Sequence, residues 1–264
     1  MSLVYSGIVP HSPILVPTIG AEHHGRASKT LAAFDTMEKE LYGRFPDTLV
    51  IISPQAHVDC DHFTIDVNET YICNLKEFGD FETEITCSPD LQLAHEMRER
   101  LEDSGLPVMF RTEEILDHGI TVPLHHLTGK LKHVRVMPIY PSQLDLKTHF
   151  EFGRALKDVI VASERRVAVL ASVGLSHKLT KDSPGGFDPK GAEFDERIRN
   201  LFTSRNGSGM VNFDEELAKA AGENALRPLT ILAGLMDRID ATPEILSYEA
   251  PFGIGFLVAQ YDLS

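Results

Sequence analysis

The chain has 264 residues, no tryptophan and only three cysteines, Cys60, Cys73 and Cys87. No two cysteines form a Cys-x-x-Cys pair, and the odd count argues against a disulfide framework. A reducing, cytoplasmic setting is the simplest expectation. No apolar run approaches the ~20 residues needed to span a bilayer. The N-terminus lacks the basic, apolar and small-residue succession of a signal peptide. Basic residues are outnumbered, with 25 Lys+Arg against 39 Asp+Glu and a formal net charge of −14. That balance excludes the basic surplus that neutralises nucleic-acid phosphates. The acidic residues are dispersed rather than blocked, as on solvated faces. HExxH, GxSxG, P-loop and GxGxxG signatures are all missing, so none of their chemistries is announced by a motif.

What is present is a large core and a regular alternation. Hydrophobic residues make up 42% of the chain, enough for one large α/β domain. Apolar, β-branched runs recur at Leu3–Val9, Thr48–Ser53, Phe63–Val67, Thr83–Thr86, Val108–Phe110, Val134–Tyr140, Val167–Val173 and Gly253–Tyr261. Several are continuously apolar, as suits strands covered on both faces. Helical patterns lie between them. One covers Arg26–Tyr42. A second begins at Ser88-Pro89-Asp90, with Ser88 as cap, and ends at Gly105. Leu146–Ala162 has apolar residues at helical spacing. Asn212 with Glu215 forms a capping-box-like start, and Gly222 marks the end of that helix. Ala225–Ile239 is a further apolar helix. The expectation is an α/β fold, a single domain over 1–264 with a mixed central β-sheet flanked by helices. The Gly- and Pro-rich stretch Asp182–Lys190 is the best candidate for a loop covering a site.

Twelve histidines are many for this length. His23-His24 and His125-His126 are adjacent pairs whose side chains diverge on either a helix or a strand. They read as surface or supporting groups. His11, His57 and His177 instead follow apolar strands. Parallel neighbours would bring those strand ends to one edge of a sheet, where α/β folds collect their chemistry. Leu116-Asp117-His118-Gly119 and Gly222-Glu223-Asn224 add a further histidine and a carboxylate. Two histidines and one carboxylate form a facial site with open positions, suited to non-haem Fe(II). An unligated histidine can then act as acid or base near neutral pH. Taken singly, each of these residues is equally at home as a hydrogen-bonded structural group.

The ordered segments resemble the class III extradiol ring-cleavage dioxygenases, especially their small single-domain branch. They are VPHSPILVPTIG (residues 9–20), DTLVIISPQAH, LDHGITVPL, GLSHKL, AGEN and SYEAPFGIGFLVA (residues 247–259). The resemblance implies a mixed sheet flanked by helices, a metal that is usually Fe(II), with Zn(II) as the alternative, and a small aromatic substrate with O2. It implies His11, a second histidine and Glu223 as metal ligands, His177 as acid/base, and His118 in the substrate pocket. Two departures stand out. Ser53-Pro54-Gln55 replaces a Ser-Pro-His pattern, leaving His57 or Gln55 as the second ligand. Val173-Gly174 replaces Gly-Asp before Leu-Ser-His. Asp117, Ser12, Ser176 and Lys178 are the candidate substrate-binding residues, with Arg227 a further candidate for a substrate carboxylate. Gln55 also opens the alternative of a catalytically silent or Memo-type relative. No nucleic-acid or membrane partner is expected; a homo- or hetero-oligomer is compatible with the resemblance.

Overall fold

The structure is a computed structural model and describes residues 2–55, 61–131 and 133–263. Its strands are β1 (Leu3–Pro10), β2 (Thr48–Ile52), β3 (Phe63–Asp66), β4 (Tyr71–Leu75), β5 (Asp80–Cys87), β6 (Val108–Arg111), β7 (Ile115–Leu116), β8 (Arg135–Tyr140), β9 (Val167–Val173), β10 (Ala241–Glu249) and β11 (Phe256–Leu263). Eight of them form a mixed sheet in the order β10-β11-β1-β9-β2-β8-β3-β6, and β5-β4-β7 form a second, small sheet. The four central strands β1, β9, β2 and β8 are parallel. Pro10 pairs with Val173, and Ile52 pairs with both Ala171 and Ile139. The carboxyl ends of the four strands therefore share one edge.

Side chains alternate between two cores because successive residues of a strand face opposite ways. Leu3, Ile8, Val50, Ile52, Val169 and Ala171 pack on one face, against helices Leu91–Asp103, Leu146–Ala162, Pro189–Thr203 and Leu226–Leu235. Tyr5, Val9, Leu49, Ile51 and Leu170 pack on the other, against helices Ser28–Arg44 and His118–Leu127 and the small sheet. Burial on both faces explains why these strands read as unbroken apolar runs.

Helix starts differ from expectation at two places. Asp90, not Ser88, caps Leu91–Asp103, its side chain accepting from the Leu93 N–H. Pro89 lies in an isolated bridge to Val136, so it is held by the sheet rather than the helix. Asp214, not Asn212, caps Glu215–Ala221, accepting from the Glu216 and Leu217 N–H groups. In both cases a carboxylate takes the role, since its oxygens accept the free N–H groups of a first turn. Gly222 ends that helix with φ +64°, the left-handed conformation glycine adopts most readily. Among the described residues no helix is long and apolar enough to cross a membrane.

Candidate functional site

The shared strand edge gathers most of the candidate residues. His11 follows β1, Ser53 and Gln55 follow β2, and Gly174 and His177 follow β9. Asp117 ends the short run after β7 and caps the helix that starts at His118. Its Oδ1 accepts from the Gly119 N–H (2.7 Å) and from the Ser53 hydroxyl (2.8 Å). That pair of bonds fastens the loop after β2 to the helix carrying His118. Between them lies a cavity of ≈ 150 Å³ lined by His11, Gln55, His118, His177 and Asn224, with Phe256 in its apolar wall.

One chain of hydrogen bonds fixes the state of His11. Proline has no N–H, so Pro123 inside the His118–Leu127 helix leaves the carbonyl four residues earlier without its helical donor. That carbonyl belongs to Gly119. The buried Ser172 hydroxyl donates to it at 2.6 Å. With its proton so directed, the Ser172 oxygen is an acceptor toward His11 Nδ1, 3.0 Å away. His11 therefore carries its proton on Nδ1 and turns the Nε2 lone pair toward the cavity. The amides on the other side agree. Asn224 Oδ1 accepts from the Gly174 N–H at 2.7 Å, which aims its Nδ2 at His11 Nε2, 3.4 Å away. The Gln55 amide nitrogen sits 2.7 Å from the same lone pair. Burial first, then His118 and His177, hold the His11 imidazole well below the usual histidine range, so it is neutral.

The other two cavity histidines are also kept neutral by burial. His118 lies with its ring 5.6 Å from His11 and 5.0 Å from Phe78, edge-on to both. Its pKa is lowered by burial, against the pull of Asp117 and Glu77. Burial also lowers His177. A Cβ on Gly174 would stand 2.8 Å from both His177 Nε2 and Asn224 Oδ1. Glycine at that position, one of the two departures from the family pattern, is thus what lets Asn224 and His177 occupy the cavity edge.

The remaining candidates have different surroundings. Ser12 lines the cavity. Ser176 is buried and donates to the Ala221 carbonyl at 3.0 Å, while the Ser176 N–H is held by Asp195 at 2.8 Å. Those bonds strap the loop bearing His177 to the end of a neighbouring helix. The Lys178 stem lies against Gly185 and Gly222, outside the cavity lining. Asp182–Lys190 is tied down there too: the Gly185 N–H donates to the His177 carbonyl and the Asp188 N–H to the Lys178 carbonyl. Arg227 stands 3.8 Å from Glu215. His57 lies outside the described residues. Asn224, Ser172 and Asp195 carry no motif of their own; only the place of Asn224 beside Glu223 was a signal.

The donor set bears on whether a metal would fit. His11 offers a neutral imidazole with its lone pair free for coordination through Nε2, the tautomer a metal requires. Glu223 is a buried carboxyl pushed up to about 7 by burial, opposed only by the Leu226 and Ala225 N–H groups and Arg227. A charged carboxylate in that place lacks a strong positive neighbour, which a divalent cation would supply. In this structure one Glu223 oxygen accepts from the Ala225 N–H and, at 2.6 Å, from the Leu226 N–H, heading the Leu226–Leu235 helix. Among the described residues no three His, Cys, Asp or Glu groups converge on one point. The chemistry of His11 and Glu223 fits a divalent cation, while Gln55 brings an N–H donor to the same lone pair.

Residues 6–259 match the family model described as the catalytic LigB subunit of aromatic ring-opening dioxygenase. The chain belongs to the LigB family. Its relatives include a Clostridium acetobutylicum protein without a functional name, 26% identical over 271 residues, which cover 99% of this chain and 58% of the relative. Another is a 2,3-dihydroxyphenylpropionate/2,3-dihydroxicinnamic acid 1,2-dioxygenase of Dechloromonas aromatica, 24% identical over 75% of this chain and 64% of the relative. A Rhodococcus enzyme of the same name is 26% identical over 80% of this chain and 72% of the relative. The chain thus spans about three fifths of the first two relatives' lengths. The crystal structure of the uncharacterized protein JW3007 from Escherichia coli K12 shares the fold, with a TM-score of 0.68 at 17% identity, covering 97% of this chain and 99% of that one. The expected mixed sheet flanked by helices is therefore both the observed architecture and that of a LigB-family chain.

Proposed function

We propose that this LigB-family protein is a metal-dependent extradiol-type dioxygenase that opens the ring of a small aromatic diol. The observation that carries the reading is the neutral His11, its Nε2 lone pair aimed into a cavity shared with His118 and His177. The names of the Dechloromonas and Rhodococcus relatives point to a 2,3-dihydroxyphenyl compound. Fe(II), or Zn(II) in a different chemistry, would be held by His11, Glu223 and either His57 or Gln55. When bound, the metal acidifies a substrate hydroxyl and provides a place for O2. His177, neutral because it is buried, accepts the hydroxyl proton and can return it as the ring opens. His118 orients the substrate oxygens, itself placed by the Asp117 cap. Phe256 and Ile254 offer apolar surface to the ring and limit water.

Anaerobic loading with Fe(II), followed by a panel of catechols that includes 2,3-dihydroxyphenylpropionate, should give O2 uptake and a yellow ring-opened product. Bound iron without product from any diol would defeat the reading. His177→Ala should abolish turnover while metal content stays near normal.

A second reading is favoured by Gln55. Its amide donates to the lone pair a metal would need, as expected of a non-catalytic member that works as a binding subunit. Purified protein that takes up no stoichiometric Fe(II), Zn(II) or Mn(II) would support it over the first.

A further inference from the structure

Two cysteines stand together away from the cavity. Cys73 in β4 and Cys87 at the end of β5 lie on one face of an antiparallel pair, since Tyr71 is opposite Cys87 and Cys73 is opposite Ile85. Such diagonal neighbours are within reach of each other. Their sulfurs are 3.8 Å apart. Cys73 is buried, whereas Cys87 is partly exposed. Cys87 lines a hollow of ≈ 450 Å³ together with Thr128, His133 and Arg135, ample for a small reagent. The two thiols differ in character. Hydrogen bonding from the Cys73 thiol holds Cys87 below the usual thiol range, and the same bond raises Cys73. A partly exposed thiol whose ionisation is eased, lining an accessible hollow and backed by a buried thiol 3.8 Å away, is the arrangement of an attacking and a resolving cysteine.

We propose that Cys87 and Cys73 are a two-electron redox pair whose substrate is a hydroperoxide. The Cys87 thiolate attacks the terminal peroxide oxygen. The O–O bond breaks, Cys87 becomes a sulfenic acid, and the alkoxide or hydroxide leaves and takes a proton from water. Cys73 then attacks the sulfenic sulfur, forms the disulfide, and water departs with the Cys73 proton. Two thiols have lost two electrons and one peroxide has gained them. The sulfurs must close from 3.8 Å to about 2 Å, within reach of a rotation and a small strand adjustment. The chemistry does not depend on ring opening, yet it lies one strand from the cavity. Cys73 pairs with Leu116 across β4 and β7, directly before Asp117, the cap of the His118 helix.

The test uses the full chain carrying Cys60→Ser, because Cys60 and Cys73 share tryptic peptide 45–76 while Cys87 lies in 77–98. One equivalent of hydrogen peroxide should consume both thiols, lower the mass by two hydrogens, leave the denatured protein migrating as a single chain on a gel without reductant, and join the two peptides until dithiothreitol is added. Adding Cys87→Ser, at the exposed member, should leave the Cys73 thiol intact under the same treatment. Adding Cys73→Ala should stop Cys87 at a sulfenic acid that dimedone traps. It should also slow iodoacetamide alkylation of Cys87 at neutral pH about ten-fold, the loss of one hydrogen bond to a charged sulfur. Survival of both thiols, oxidation of Cys73 without Cys87, or a bond formed only between chains would each overturn the proposal.

Discussion

Replacing Ser172 by alanine tests the chain that sets His11. Ser172 is fully buried in β9, and its one oxygen serves two groups, donating to Gly119 C=O and accepting from His11 Nδ1–H. Alanine leaves both without a partner. The Gly119 carbonyl has no alternative helical donor because Pro123 lacks an N–H. Each orphaned buried group costs about 1–3 kcal/mol, so the variant should lose about 2–6 kcal/mol, read as a fall in the urea midpoint at unchanged slope. The double variant isolates the cause. Pro123→Ala restores an N–H toward Gly119, so Ser172→Ala in that background should cost about 1–3 kcal/mol less than in the native chain. In Pro123→Ala alone the freed Ser172 proton can turn to His11 Nδ1, and nitrogen NMR should show His11 gaining the Nε2–H form. A Ser172→Ala cost under about 1 kcal/mol, or no coupling with Pro123→Ala, would refute the chain.

Three further outcomes are expected. Gln55→His replaces an N–H donor on the His11 lone pair with an imidazole ligand, and should raise Zn(II) or Mn(II) affinity at least about ten-fold in calorimetric titration; an unchanged affinity would mean that Gln55 does not control access to His11. Gly174→Asp should drive Asn224 and His177 apart, since even its Cβ would stand 2.8 Å from both; an overpacking loss of about 1–3 kcal/mol in urea unfolding is expected, and no loss would refute the crowding. Asp195 is pushed from 3.8 to about 6 by burial, against the Ser176 N–H, the Tyr248 hydroxyl and Arg199. A carboxyl raised in the folded state favours folding below its unfolded pKa, and that contribution is lost as pH rises through about 6. Asp195→Asn should therefore gain about 3 kcal/mol relative to the native chain between about pH 4 and 7, and a difference independent of pH would refute the shift.

The central strands were legible because both their faces are buried. Val167–Val173 is the strand as expected, and Thr48–Ile52 differs by one residue. β4, β7 and β10 were not legible. β7 has two residues, β4 is short and alternates buried Tyr71, Cys73 and Leu75 with half-buried Ile72 and Asn74, and β10 is an edge strand exposing Thr242 and Glu244. Edge strands and short pairings have no hydrophobic period to announce them, because their pairing is fixed by the neighbours they meet. The helix at His118 was missed for a different reason. Its Pro123 is a helix-breaking signal in the sequence, and only the Ser172 hydroxyl, 49 residues further on, compensates for the missing donor.

The same distance between cause and effect runs through the candidate site. His11 and His177 could be picked out in the chain because each follows an apolar strand. What those histidines can do is set by residues with no motif. Ser172 fixes where the His11 proton sits, Gly174 makes room for Asn224 and His177, and Asp195 holds the loop on which His177 stands. The Gln55 substitution belongs with these. A sequence shows that an amide stands in place of an imidazole. The structure adds that this amide donates to the lone pair that Pro123, Gly119 and Ser172 leave exposed. The relay turns the His11 lone pair toward the cavity, and the Gln55 amide stands directly in front of it. Pro123 inside a helix costs about 3 kcal/mol without a compensating donor, so the Ser172 bond to Gly119 supports the helix carrying His118 as well as setting His11. The geometry at His11 and the stability of the His118 helix are thus joined through one hydroxyl, and a change at Ser172 should be felt at both.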